Sequence, residues 1–586
     1  MTSLARRYLT IFACAALALG CGIAGLAATG LVVADDLQPP AKDDAFGLTK
    51  VWQIHLELSA KELEKMQPVG GGFGFGFAPK GDPKKAPEKP PEKQADTHKG
   101  GGFGTEFPWA SAALTAEGKT YKNLGIRYKG NSTYSSSANM LKRPMQIDFE
   151  HYGGNERWRG LKKLSLSNGV TDPARLRETL AFEVFRAAGV PASKTAYVEI
   201  TLTVPGKYDK EYLGLYVLIE HVGNQFLKER FQSAKGLLLK PELSFGGGGG
   251  GFGKGPGGGG LEFLGEDWAA YEKRYQPKTE ATKSQKKRFI DFTRLINNGS
   301  DEQFNKEIGA YLDVDEFLRY LAVNALLVNL DSFIGISHNY YMYLRPDNNK
   351  IVFIPWDLDL SFGVLALGGS PEQQLDLSIN HPHVGQNKLI DRLLAMNGVK
   401  DQYQKILKDL TATSFSKEKL FKDLDALEQV TKAPLAREKQ AADARKETAG
   451  GFGFGGGPGF GGQTPPLRTF VEKRTEAVTA QLAGKSKGYE PGGFGFAFGG
   501  KKGPGGFGMG NFLAKPLLTA LDKNDDSKLS LEEWTAWAKA IAKEHDKDGK
   551  GIDDKALAAE LGKLLPFPKF AGPGAPPGGG KGQPGG

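Results

Sequence analysis

Cysteine is almost absent from this chain of 586 residues, since its only two cysteines are Cys14 and Cys21. That scarcity excludes a disulfide-stabilised scaffold and a cysteine-ligated zinc site. A strong charge of either sign is also lacking, because the formal net charge is only +9. This small and dispersed excess gives no indication of nucleic-acid binding.

Two common phosphate-binding motifs are missing as well. The chain contains neither a complete P-loop, Gly-X-X-X-X-Gly-Lys-Ser/Thr, nor the glycine-rich loop of ordinary kinases. Histidine is scarce, with 8 residues. The one close pair, His381 and His383, has no third ligand at a metal-binding spacing along the chain, so the sequence does not predict a metal site there.

The N-terminal segment has the composition of an export signal. Arg6 and Arg7 precede an apolar stretch that runs from about Tyr8 to Ala34. A basic start, an apolar middle and small residues at the end predict a secretory signal peptide over residues 1–34, cut after Ala34. A stretch of this length can also cross a bilayer once, so an uncleaved membrane anchor is the alternative. Both alternatives predict an exported protein that is periplasmic, cell-surface or extracellular.

Glycine, by contrast, is abundant, with 80 residues, and its excess is concentrated in patches without the Gly-X-Y period of collagen. Such patches cannot bury enough apolar surface to offset the loss of backbone entropy, so we predict flexible spacers. Interleaved phenylalanines make a self-associating surface the alternative. The predicted units are a central domain over 46–440 with glycine-rich inserts near 70–104 and at 246–260, a Gly/Phe-rich linker over 448–511, a second domain over 512–562 and a Gly/Pro-rich tail over 563–586.

The central domain mixes strand and helix signals. Residues 51–58 alternate in the manner of a strand, and residues 196–204 and 213–219 form a pair of segments rich in β-branched and aromatic residues. Apolar residues recur at helical spacing from 314 to 328. Mixed strands and helices joined by hairpins predict an α+β fold.

The stretch from 329 to 363 carries the clearest chemical signal. Asp331 follows the predicted helix, Asn339 opens a predicted hairpin, and the return strand leads into Asp357 and Asp359. Protein kinases place a catalytic Asp, a metal-binding Asn, a hairpin and a metal-binding Asp in the same order. We therefore predict Asp331 as the base that accepts the proton of a hydroxyl nucleophile, and the other three residues as Mg²⁺ ligands.

The two acids at the end of the hairpin leave some alternatives open. If the strand continues, the carboxylates of Asp357 and Asp359 point to the same side, and either one could be the primary metal ligand. Acids at such places also serve simply as turn formers and helix caps.

Several motifs in the right order make residues 46–435 resemble the CotH kinase family, the spore-coat protein H-like secreted kinases. The resemblance implies an atypical, divergent protein-kinase-like fold that transfers phosphate from ATP to Ser or Thr hydroxyls of a protein. The segments that carry it are YKGNS at 128–132, KRP at 142–144, LKKLSL at 161–166, RLRE at 175–178, GLYVLIE at 214–220, HNY at 338–340 and IPWDLD at 354–359.

Position by position, the resemblance implies four nucleotide-binding residues. Lys142 resembles the lysine that places a point charge on the phosphates, and Glu178 the helix glutamate that orients this lysine. Glu220 ends the strand where a hinge to the adenine is expected, and Trp356 is placed to stack on the adenine. Their structural alternatives are a solvated lysine, an exposed helix acid, a hydrogen-bonded strand-end acid and a core aromatic.

The second domain contains a calcium-loop pattern. Oxygen ligands at positions 1, 3, 5, 7, 9 and 12 predict an EF-hand, although Ser527 replaces the usual glycine at position 6. A loop from Asp546 looks like a degenerate partner, and an acidic helix cap is the alternative for the first loop. The candidate ligands are Asp522, Asn524, Asp526, Lys528 through its carbonyl, Ser530 and Glu533.

These features predict a secreted or surface protein kinase-like enzyme with ATP, Mg²⁺ and Ca²⁺ as cofactors. Its partners would be ATP and a protein acceptor at the cell surface or in a matrix, without nucleic acid, and with a membrane only if the N-terminal segment stays uncleaved. Because ATP is scarce outside cells, a non-catalytic surface or matrix binding protein, either a pseudokinase or an adhesin, is the alternative.

Overall fold

The computed structural model covers the central domain and part of the C-terminal region. The residues that the structure describes are 44–68, 106–242, 260–365, 367, 370–447, 465–491, 518, 520–524, 526, 528–546, 551–552, 557 and 560. The predicted signal segment, the tail and the predicted glycine-rich inserts lie outside these residues, apart from Gly260 at the end of the second insert. Among the described helices, none has both the length and the apolar character that crossing a bilayer requires.

Within the described part of the chain, seven strands form a closed barrel in the order β1-β2-β3-β4-β5-β7-β6. The strands β1 and β6 are parallel, and the other neighbours are antiparallel. In β2 every second side chain is buried, as expected for a strand with one face on a core. The bounds are β1 Val51–Glu57, β2 Ala110–Ala116, β3 Lys119–Tyr128, β4 Met145–Asp148, β5 Lys163–Ser167, β6 Thr195–Val204 and β7 Tyr208–Ile219.

The second half of the domain is mainly helical. Its described strands form a sheet in the order β11-β10-β8-β9, with bounds β8 Leu237–Pro241, β9 Tyr275–Pro277, β10 Tyr340–Leu344 and β11 Ile351–Pro355. The strands β10 and β11 are buried along their whole length. This is the hairpin that the sequence predicts, and the predicted α+β class is confirmed.

Helices surround both halves. Near the barrel lie α1 Ala60–Lys65, α2 Asn131–Ser136 and α3 Arg177–Ala187. The larger half contains α4 Asn224–Phe231, α5 Trp268–Glu272, α6 Lys283–Asn298, α7 Asp301–Tyr311, α8 Val314–Leu326, α9 Pro371–Leu375, α10 Lys388–Ala395, α11 Val399–Ala412, α12 Lys417–Ala444 and α13 Leu467–Leu482. Of the predicted domain over 512–562, the structure describes α14 Leu531–His545 and parts of the loop before it.

The helix α8 ends a few residues before the first residue of the candidate site. The Asp313 side chain accepts a hydrogen bond from the backbone N–H of Glu316 and caps the helix. The Glu316 carboxylate in turn accepts the N–H of Phe353 at 3.1 Å, which fastens α8 to β11. The helix predicted over 314–328 is therefore confirmed, and its packing sets where the following acid lies.

The predicted linker over 448–511 is wrong in its middle part, because α13 belongs to the core. Phe470, Val471 and Val478 are fully buried there. The domain therefore extends beyond the predicted boundary at 440. Glycine patches flank this helix on both sides, so the average composition of the segment gives no sign of it.

A buried cation fixes α13 in place. The Arg474 side chain is completely buried and donates to four backbone carbonyls, those of Ala325, Leu326, Leu375 and Leu377, at 2.7 to 3.2 Å. The first two carbonyls lie in the last turn of α8, where the regular hydrogen bonds of the helix run out, and the Ala325 carbonyl also accepts the N–H of Val328 at 3.2 Å. The helix α13 therefore completes the end of α8 that leads to the site.

We expect Phe470→Ala to lower the free energy of unfolding by about 3–5 kcal/mol, because it leaves a cavity in the core. The Phe470 ring packs edge-to-face on Phe362, with centroids 5.4 Å apart. Chemical denaturation would measure the change. Lys473→Ala on the same helix is the control, since the Lys473–Glu476 pair is exposed and such pairs contribute little. Equal stability of the two variants would contradict the placement of α13.

Candidate active site

A tight loop after α8 presents Asp331. Val328 has a φ of 48°, which a β-branched residue rarely adopts, and the N–H of Asn329 returns to the carbonyl of Asn324 at 3.0 Å. A Cβ on Gly335 would lie 1.8 Å from the carbonyl oxygen of Leu330. The loop can close this tightly only because residue 335 is glycine.

Asp331 and Asn339 are hydrogen-bonded to each other. The Asn339 Nδ2 donates to Asp331 Oδ2 at 2.8 Å, and both side chains are buried. The φ of Asn339 is 54°, a conformation that asparagine tolerates better than most residues. Burial, followed by the charges of Asp357 and Asp359, raises the pKa of Asp331 well above its usual value. The structure thus joins Asp331 directly to Asn339, and the charges of Asp357 and Asp359 act on Asp331 from nearby.

The strand β11 does not continue through the two acids, so that premise of the sequence analysis is wrong. It ends at Pro355, and Asp357 has a φ of 57°. Asp357 is exposed whereas Asp359 is buried, and the Thr171 hydroxyl donates to Asp359. Burial, with the charge of Asp357 as the second cause, raises the pKa of Asp359 to about 7.

Glu178 on α3 joins this group of acids from the barrel side. Burial raises the pKa of Glu178 well above its usual value, and the charges of Asp359 and Asp357 add to the effect. The nearby cation is Lys129, which lowers the pKa of Glu178. Burial in turn lowers the pKa of Lys129, against the charges of Asp357 and Glu178.

Lys129 follows directly after β3, and the barrel holds its side chain. The Lys129 Nζ donates to the hydroxyl of Ser165 on β5 at 2.9 Å and lies 5.5 Å from the centre of the Trp356 ring. The Ser167 hydroxyl on the same strand binds Glu178. One strand therefore positions both members of the lysine–glutamate pair.

Lys142 lies elsewhere, and its predicted pairing with Glu178 is wrong. The Lys142 Nζ is bonded to Glu438 Oε2 at 2.8 Å and to the carbonyl of Leu215. Arg175 binds the other oxygen of Glu438. This buried group joins α12 to the barrel, so the contacts of Lys142 are those of a structural residue.

The backbone of β7 also lies close to the Glu438 carboxylate. The N–H of Leu215 donates to Glu438 Oε2 at 2.8 Å. Gly214 has a φ of 128°, and a Cβ there would lie 2.4 Å from the same oxygen. Glycine is required at this position for both reasons.

The two predicted adenine-binding residues have structural partners. Glu220 accepts the N–H of Lys194 at 2.9 Å and a guanidinium N–H of Arg230 at 2.8 Å. Trp356 is 8% exposed and packs edge-to-face on Tyr341, with centroids 5.6 Å apart. These contacts match the alternatives of a strand-end acid and a core aromatic, while Trp356 also borders Lys129.

The chemistry of the donor set fits a divalent cation. The charges of Asp357 and Asp359 act on both Glu178 and Asp331 across a largely buried site. Like charges at this proximity disfavour joint ionisation. Hard cations such as Mg²⁺ prefer oxygen donors of this kind, and a bound cation would offset the repulsion.

Sequence reasoning missed Lys129 as a site residue. A signal for it exists, because protein kinases carry their phosphate-binding lysine on the third strand, and Lys129 comes directly after β3. Thr171, which binds Asp359, lies in an irregular segment and has no comparable signal.

Lys129 and Glu178 act electrostatically on each other beside a buried group of acids, an arrangement that is compatible with a kinase-like class of protein. Residues 126–478 match the family described as CotH kinase protein. This match covers more than half of the chain, which therefore belongs to the CotH kinase protein family.

Two relatives are similar over part of their length. The chain is 25% identical to the inner spore coat protein H of Bacillus subtilis (strain 168) over 242 residues, which are 41% of this chain and 59% of that protein. It is 27% identical to the spore coat protein homolog 1 of Rhizopus delemar over 247 residues, 40% of this chain and 36% of that protein. The chain thus spans about three fifths of the first relative and about a third of the second.

We expect Lys142→Met to lower the free energy of unfolding by about 3–5 kcal/mol, because it removes one partner from a buried ion pair. Differential scanning calorimetry would measure the loss. Lys122→Met is the control, since Lys122 is an exposed residue of β3. A Lys142→Met protein as stable as the wild type would contradict the structural role of Lys142.

Proposed function

We propose that this chain is an exported, atypical protein kinase that transfers a phosphoryl group from ATP to a Ser or Thr hydroxyl of a protein acceptor. The observation that supports this most directly is the buried contact of Asp331 with Asn339 beside Asp357 and Asp359. Membership of the CotH kinase family supports it independently.

Each residue of the site has a separate proposed role. Asp331 accepts the proton of the attacking hydroxyl, and its bond to Asn339 keeps the carboxylate in one orientation. Asn339, Asp357 and Asp359 are the residues that would hold Mg²⁺, which when bound neutralises charge on the phosphate oxygens.

Lys129 is a better candidate than Lys142 for the phosphate-binding lysine. The acids whose charges act most on Lys129 are Asp357 and Glu178, and its ammonium group also lies 5.5 Å from the centre of the Trp356 ring, next to Asp357 in the chain. Glu178 would orient it, as the helix glutamate does in other kinases.

Export and a surface acceptor are supported by two separate observations. The N-terminal segment predicts a signal peptide, and the named relatives are spore coat proteins. We therefore propose a cell-surface, coat or matrix protein as the acceptor.

Incubation with labelled ATP, Mg²⁺ and a serine-rich acceptor tests this proposal. We expect Asp331→Asn, Asp359→Asn and Lys129→Met each to reduce transfer by about 100-fold or more, because a positioned base or charged group contributes at least that factor. Asp347→Asn is the control, since Asp347 lies in an exposed turn with Arg345. A wild-type protein that neither transfers phosphate nor binds ATP would instead support the non-catalytic binding protein.

We also propose that the loop before α14 binds Ca²⁺. The Glu533 carboxylate reaches back to the N–H of Lys523 at 2.7 Å and to that of Ser530 at 2.9 Å. These backbone bonds, with Ser530 first, hold the pKa of Glu533 below its usual value. The same glutamate forms a capping box with Ser530, so Ca²⁺ would compete with the helix cap for this carboxylate.

We expect Ca²⁺ to bind with a dissociation constant of about 0.1–1 mM, in the range of extracellular EF-hands, and Glu533→Gln to weaken binding at least about tenfold. Trp534 and Trp537, whose ring centroids are 5.8 Å apart on α14, provide a fluorescence signal for the titration. The control is Glu532→Gln, because Glu532 is exposed and lies outside the ligand positions. Equal calcium affinity in both variants would contradict the proposal.

A further inference from the structure

Two histidines and an acid meet at the start of α10, and none of them is among the residues proposed for phosphate transfer. His381 and His383 come from the loop before the helix, and Asp391 lies in its first turn. One ligand atom from each of the three side chains lies within 4.8 Å of the other two. The spacing of residues along the chain gives the histidine pair no third ligand, and the fold provides one.

Hydrogen bonds and a contact between the two rings hold these three residues in place. His383 Nε2 lies 2.8 Å from Asp391 Oδ1, and the centroids of the two imidazole rings are 4.0 Å apart. The other oxygen of Asp391 accepts the N–H of Asn387 at 3.1 Å. The N–H of His381 donates to the hydroxyl of Ser378 at 3.2 Å. Little rearrangement is therefore needed to bring the three ligand atoms around one ion.

We propose that His381, His383 and Asp391 form a binding site for a zinc-type divalent metal ion, with water in the remaining position. Two imidazoles and one carboxylate are a donor set that zinc accepts in proteins, and sites with three protein ligands keep one position open. Imidazole nitrogen separates this site from the oxygen-only sites proposed for Mg²⁺ and Ca²⁺.

The burial of the ligands is consistent with such a site. His383 is 1% exposed, whereas the Asp391 side chain is 42% exposed. One side of the group is therefore enclosed by protein and the other is open to solvent, which gives an ion a path of entry.

A simple hydrogen-bonded His–Asp pair is the competing interpretation. It accounts for His383 and Asp391, but it assigns no role to His381. Removing His381 therefore separates the two interpretations, because the contact between the other two side chains does not depend on it.

A bound ion would also support the candidate active site. Between the two histidines and α10, the N–H of Val384 donates to the carbonyl of Ile334 at 2.8 Å. Ile334 lies in the loop between Asp331 and Asn339. Fixing the histidine loop would therefore stabilise the segment that presents the predicted base, and this holds whether or not the protein transfers phosphate.

Calorimetric titration of the full chain with ZnCl₂ tests the site. The protein is purified with a tag that contains no histidine, treated with a chelator, and kept in excess Mg²⁺ and Ca²⁺ to occupy oxygen-only sites. We expect His381→Ala to weaken binding of one zinc equivalent by at least about tenfold, and zinc to raise the melting temperature of the wild type but not of this variant. Asp391→Asn, which retains an oxygen for the N–H of Asn387, should have the same effect.

Two control variants define the result. His151→Ala removes a histidine that stacks on Trp109 in the barrel and should bind zinc as the wild type does. His545→Ala examines the other described group with suitable donors, Glu544, His545 and Glu560. If the wild type binds no zinc, if His381→Ala binds it equally well, or if only His545→Ala loses it, the proposal is overturned.

Discussion

The repulsion among buried carboxylates is the constraint on which the rest of the structure depends. Glu178, Asp331 and Asp359 are all buried, and the charge of Asp357 contributes to raising the pKa of each of them. Burying charge is costly unless it is paired, and the cations that interact with this group of acids include Lys129 and Lys240. The surrounding framework must therefore hold together side chains that would separate if they were free to move.

That framework is fastened by cations placed away from the acids. Lys142 and Arg175 share Glu438 and join α12 to the barrel. Arg474 joins α13 to the end of α8 and to the segment after α9. Removing any one of these three cations would leave polar groups unpaired in a buried environment, where they are most costly. The structure thus separates the charges that carry the proposed chemistry from those that maintain the architecture.

The order of local elements was predictable from the sequence, and the long-range pairing of charges was not. The helix, the acid, the asparagine and the hairpin follow from periodicity and turn chemistry within about 30 residues. Glu438 lies about 300 residues away from Lys142 along the chain and binds it in the folded protein. Because the sequence does not indicate this contact, it could not decide between Lys129 and Lys142 as the lysine of the site. Asp391 lies beside the two histidines because it is in the first turn of α10, which follows their loop. The helix α13 was missed because composition was averaged over glycine-rich surroundings.

The position of α13 late in the chain has a consequence for biogenesis. A ribosome produces the barrel strands first, and the residues that cover the end of α8 emerge only after the glycine patch that ends near residue 464. Until then, the carbonyls of Ala325 and Leu326 lack the guanidinium that binds them in the finished protein. A nascent or prematurely terminated chain would therefore contain every acid of the site without the support that orders it, so the full domain matures only when its last helix docks.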